Sequence, residues 1–176
     1  MRLHILAIAT IFSGLLGLVA INQQANAAIT ITEEKIAKIK NHCTENQATL
    51  NRLHQTDAFL RTNRGELYRA ISDKLMVPLN RRLASNQLDA GSLLTITADY
   101  NKKYRVFFDA YISYDNAMSK LLNIDCSRQP VSFYNGLVEA REQRQLLSAS
   151  NQAILELIRS YGSEFELFKN EFEADA

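Results

Sequence analysis

The sequence predicts an all-α fold: an elongated up-down-up antiparallel three-helix bundle, coiled-coil-like in its packing and closed by one disulfide. Three observations predict it. Apolar residues recur at alternating spacings of three and four along three long segments, with no stretch of period-two alternation. Turn-forming residues separate these segments near 85–91 and 125–129. The only two cysteines, Cys43 and Cys126, have their midpoint at 84.5, on the edge of the first turn. Punctuation and cysteine placement therefore name the same bend independently.

The chain opens as a secretory signal would. Arg2 supplies the charged start, Ile5 to Ile21 is a largely apolar run, and Ala25-Asn26-Ala27 offers small residues for cleavage before Ala28. The predicted organisation is a signal peptide over 1–27 and a helical domain over 28–176. The alternative is retention of the segment as a membrane anchor, although the run falls slightly short of the roughly 20 apolar residues a span needs.

Helix A is expected over about 33–85. Thr32 serves as N-cap, and Glu33 and Glu34 sit where the helix dipole favours acids. Its stripe runs Ile36, Ile39, Cys43, Asn46, Leu50, Leu53, Asp57, Leu60, Arg64, Leu67 and Ile71, then drifts onto Leu75, Leu79 and Leu83. Pro78 lacks an N–H and clashes with the preceding turn, so a kink around Lys74 to Pro78 is expected. A break at Thr62 to Gly65 is an alternative.

Helix B, about 92–124, carries Leu93, Thr97, Tyr100, Tyr104, Phe107, Tyr111, Tyr114, Met118 and Leu121. Helix C, about 130–173, starts at Pro130, a residue suited to a first helical turn. Phe133, Leu137, Ala140, Arg144, Leu147, Asn151, Ile154, Ile158, Tyr161, Phe165, Phe168 and Phe172 keep its rhythm without a slip. Helices on the order of 50–80 Å long, at about 1.5 Å per residue, would make a rod. Helix C would return parallel to A, with levels about 85 to 87 residues apart.

Composition excludes some functions. The segment 28–176 carries 19 basic and 19 acidic residues once Arg2 is removed, so nucleic acid is not an expected partner. No polybasic stretch recommends a membrane surface, and a membrane enters only if the leader is retained. Two cysteines in an exported chain imply a Cys43–Cys126 bridge, with two unrelated buried thiols as the alternative. The chain-entropy model assigns such a bridge about 4–5 kcal/mol.

Polar residues interrupt the core stripes at matching heights. Asp57 should lie level with Arg141 and Arg144, and Arg64 with Ser148 and Asn151, with Tyr104 and Tyr111 facing these layers. The reading is a register-fixing polar core layer of Asp57, Arg64, Arg141, Arg144 and Asn151. The rival is a pocket for a small anion, with the arginines as donors. The helix B aromatics, Tyr100 to Tyr114, have the spacing of core packing rather than of a stacking platform for sugars or bases. His42 and His54 point about 120° apart and cannot share a metal, and no Glu-x-x-His pair exists. No metal, cofactor or catalytic constellation is expected. The acids Glu164, Glu166, Glu171, Glu173 and Asp175 oppose the dipole at the end of helix C and would find Arg81, Arg82, Lys102, Lys103 and Arg105 beside them. Phe165, Phe168 and Phe172 there suggest a docking tip.

Leu53-His54-Gln55-Thr56-Asp57, Arg61 through Tyr68, Asp125-Cys126, and Gln129-Pro130 through Arg144 span most of the mature chain. In these segments it resembles uncharacterised small secreted helical proteins of candidate-phyla bacteria of the Patescibacteria type. The resemblance implies export and helices and lends no activity. The functional expectation is a secreted or cell-envelope, non-enzymatic bundle acting through protein contacts, as adaptor, spacer or surface-interaction module. The alternative is a carrier or chaperone holding an apolar ligand or an unfolded chain.

Overall fold

The computed structural model describes residues 31–174, all within one unit, Ile31–Ala176. The expected signal segment, 1–27, lies outside the described residues. Every regular element among those described is helical: α1 (Glu33–Asn41), α2 (Cys43–Ala70), a π-helical segment (Ile71–Met76), α3 (Val77–Ser85), α4 (Gly91–Leu122) and α5 (Pro130–Ala174). None of these helices is long and apolar enough to cross a membrane.

Local chemistry explains the boundaries. Thr32 Oγ1 accepts from the Lys35 N–H at 3.4 Å, capping α1. His42 leaves helical geometry (φ −109°, ψ 21°) and separates α1 from α2, a break the stripe does not announce. The weak place at Thr62 to Gly65 stays inside α2. Ahead of Pro78 the helix widens, and the Val77 N–H reaches back to the Ser72 carbonyl. Such i→i−5 bonding adds a residue to the turn, and it falls where a proline ring would otherwise press on the preceding carbonyl. The α3–α4 turn places Gln87 at φ 60°, with Gly91 N–H bonded to Asp89 Oδ1 at 3.1 Å. After α4, Asp125 Oδ1 accepts from the Ser127 and Arg128 amides at 3.0 and 3.1 Å, turning the chain toward Pro130.

The widened turn moves the buried face. Beyond Gly65 the expected stripe gives Leu67, Ile71, Leu75, Leu79 and Leu83; Leu83 is buried and Ile71 and Leu79 pack at the edge of the core, but the other residues turned inward are Tyr68, Ser72, Met76 and Asn80. Leu60, Leu67 and Leu75 keep 40, 55 and 54% of their surface exposed. The step from Leu67 to Tyr68 precedes the π segment; the extra residue in that segment advances the face from Leu75 to Met76 and from Leu79 to Asn80, which a strict three-four rhythm cannot anticipate.

Two packed clusters result. One gathers Cys43, Tyr111, Tyr114, Met118, Leu121, Cys126 and Phe133; the other gathers Tyr68, Met76, Leu83, Leu93, Tyr100, Phe107, Ile154 and Tyr161. Cys43 and Cys126 stand at disulfide distance inside the first, with Cα atoms 5.5 Å apart. α4 and α5 pack together most extensively, and Gly136 is part of the reason. A Cβ there would come within 3.3 Å of both Leu121 Cδ1 and Ile124 Cδ1.

Candidate functional site

Polar side chains link the helices along the middle of the unit. On α2, Asp57 is nearly buried; its side chain is 11% exposed. Arg144 of α5 grips it with both arms of its fork, Nε to Oδ2 at 3.0 Å and Nη2 to Oδ1 at 3.3 Å. Tyr114 of α4 donates its hydroxyl to the same Oδ2 at 2.6 Å. Burial alone would raise the Asp57 pKa; hydrogen bonds from Arg144 and Tyr114, with the charges of Arg144 and His54, outweigh it and hold the carboxyl below its ordinary range. Burial pushes the Tyr114 hydroxyl well above the ordinary tyrosine value, and the Asp57 charge adds to that.

A second set lies one turn away. His54 Nε2 and Asp115 Oδ1 are 2.7 Å apart, and Tyr111 donates to Asp115 at 3.1 Å. The Arg61 guanidinium stacks over the Tyr111 ring at 4.4 Å from its centre. A third set joins Arg64 and Tyr68 to Asn151. Tyr68 donates to Asn151 Oδ1 at 2.6 Å, while Arg64 Nη1 reaches the same oxygen only at 3.5 Å. Arg64 and Asn151 are 87 residues apart, as are Asp57 and Arg144.

Of the expected polar layer, Asp57, Arg64, Arg144 and Asn151 therefore meet across α2 and α5, and Arg141 does not join them. It turns instead toward a shallow depression of about 510 Å³ with Lys35, His42, Glu45 and Tyr134. Arg141 is three residues from Arg144, nearly one turn along α5 and about 60° around it, and at that level it borders this depression instead of Asp57. The tyrosines also differ from expectation: Tyr114 rather than Tyr111 binds Asp57, and Tyr104 donates to the Gly65 carbonyl at 3.3 Å. The two histidines have separate partners, His42 with Glu45 and His54 with Asp115.

Three participants escaped the sequence reading. Arg61 and Tyr68 lie off the expected stripe. Asn80 is buried and serves as a hub, donating to Thr97 Oγ1 at 2.7 Å and the Leu93 carbonyl at 3.3 Å while accepting from Tyr161 at 2.9 Å. Asn80 lies beside the expected stripe of Leu79 and Leu83, so only the inward shift of the face reveals it.

At the far end of α5, Phe165 and Phe168 pack onto the second cluster, and Phe172, half exposed, stacks on Phe168 with ring centres 6.3 Å apart. Among the described residues no ion pair joins the nearby acids to Arg81, Arg82, Lys102, Lys103 or Arg105. Glu164 and Glu171 instead share a depression with Gly91, Ser92 and Leu93, where the positive end of the α4 dipole offsets them.

Asp57, Leu60, Arg61, Arg64, Arg144 and Asn151 border a cavity of about 240 Å³ between α2 and α5, with Phe107 of α4 also lining it. No group of three or more potential metal ligands occurs among the described residues. No family model, curated protein or solved structure matches the chain.

Proposed function

We propose that the protein is an extracytoplasmic, disulfide-bridged up-down-up bundle of three helical arms that acts without catalysis, as an adaptor or spacer contacting other proteins. Kinship with the secreted helical proteins of candidate-phyla bacteria belongs to the same proposal. The topology is supported by two trends. Partners of α2 through α3 on α4 and the residues just after it fall in number as the chain rises, from Ile124 opposite Gln47 to Thr97 opposite Asn80. Partners on α5 rise instead, from Arg144 opposite Asp57 to Tyr161 opposite Asn80. Cysteines at disulfide distance are compatible with an oxidising compartment.

One observation carries the contact reading. Leu60, Leu67 and Leu75 recur with helical spacing on one side of the first arm, yet remain 40 to 55% exposed. Such a stripe suits the apolar face of a partner's amphipathic helix, and Arg64 within it favours an acidic flank on that helix.

The test is recovery of a partner from the native envelope, followed by binding of the two purified proteins. Leu67→Glu should weaken binding at least about tenfold, a loss of about 1.4 kcal/mol, without lowering the melting temperature. Failure to recover a partner, or equal binding by the variant, contradicts the reading.

A further inference from the structure

We propose that the cavity between α2 and α5 is a binding site for a small free oxyanion, a carboxylate or phosphate, held by Arg61 and Arg64. The inference does not rest on the contact stripe or on any protein partner. It starts from unequal pairing among the three arginines bordering one space of about 240 Å³. Arg144 is neutralised by a two-armed pair with Asp57. Among the described residues, Arg61 and Arg64 have no carboxylate partner.

Neither cation is committed to a strong protein acceptor: Arg64 is open to solvent, and Arg61 is partly buried. Arg64 has one long bond, 3.5 Å, to an amide oxygen that already accepts from Tyr68 at 2.6 Å. Arg61 holds its guanidinium against the Tyr111 ring, and its Nε is buried without an acceptor. A charged donor left unmet in a partly desolvated site costs more than a neutral one, and an oxyanion beside the guanidinium would offset part of that cost through its charge. The stack on Tyr111 also fixes the plane of the guanidinium, so less side-chain freedom is lost on binding.

Size and lining narrow the ligand. The volume admits a phosphate or a compact carboxylate, and Phe107, Leu60 and Leu147 give one wall apolar character. Asp57 is already occupied by Arg144 and Tyr114, so the balance at the site remains positive.

The experiment is isothermal titration of the purified bridged protein with inorganic phosphate and, separately, with benzoate. Saturable binding of either probe is expected, and which one binds identifies the oxyanion. Arg61→Gln and Arg64→Gln should each weaken it at least about tenfold, while Arg141→Gln, outside the cavity, should not. Circular dichroism confirms that each variant keeps its helix. Should Arg61→Gln fail to fold, the solvent-exposed Arg64→Gln carries the comparison alone. No saturable heat up to about 10 mM of either probe overturns the proposal. So does equal weakening by Arg141→Gln.

Discussion

Asp57 shows how one side chain can fix three helices against one another. Its two oxygens take three bonds, two from Arg144 and one from Tyr114, so any slip of α5 or α4 by a turn would strand a nearly buried carboxylate. Its native pKa lies below its unfolded value, so the unfolded chain binds more protons in that window and stability falls with acid. The contribution is complete above about pH 4, the unfolded value, and disappears as pH falls through the depressed native value. Asp57→Asn should therefore be less stable at neutral pH and should flatten the acid limb of urea denaturation midpoints plotted against pH. Asn80 makes a second residue-scale case. Asn80→Ala leaves the Tyr161 hydroxyl without its acceptor and Thr97 Oγ1 without its donor; a loss of about 2–4 kcal/mol in urea unfolding is expected.

At the level of elements, the turn and the widened helix govern what is placed where. Gln87 adopts left-handed backbone geometry without being glycine. Gln87→Gly should stabilise the α3–α4 turn by about 1 kcal/mol, measured as a raised denaturation midpoint. The α4 stripe was legible almost residue for residue, from Leu93 and Tyr100 to Tyr114 and Leu121, because a regular helix keeps its rhythm and these side chains are large and apolar. Helix A was legible in part: Asp57 and Arg64 meet α5 as their heights require and Leu83 is buried, while Leu60, Leu67 and Leu75 stay largely exposed. Arg61 joins Leu60 at the groove and Tyr68 replaces Leu67 inside; Ser72 and Met76 follow in the π segment and Asn80 in α3. Periodicity assumes a constant turn, and the π segment ahead of Pro78 breaks that assumption from Ile71 onward; the step at Tyr68 precedes it. In the candidate site, Asp57, Arg144, Arg64 and Asn151 were readable from their matching heights. Arg61 was not, since its role depends on the Tyr111 ring and on which side of α2 opens into the cavity.

For the whole molecule, burial of tyrosine hydroxyls ties the helices into one cooperative unit. Burial raises Tyr68, Tyr100, Tyr111, Tyr114 and Tyr161 above the ordinary value of about 10. Groups with raised native values contribute stability that is complete below the unfolded value and is lost as pH climbs through the native one. Phenolate absorbance should thus lag behind that of the urea-unfolded chain above about pH 10 and then rise together with loss of helical circular dichroism. Independent titration of these tyrosines with the helices intact would contradict a single unit.

The account depends most on the chain folding back so that α2 begins beside the α4–α5 connection. Cys43 and Cys126, 83 residues apart in sequence, report this directly. The deciding measurement is the intact mass of the protein extracted without reductant, after alkylation, beside its circular dichroism. The account predicts no added alkyl group until reduction, then one on each cysteine, with a loss of about 4–5 kcal/mol in stability. A fully helical extracted protein with both thiols already alkylatable would contradict it.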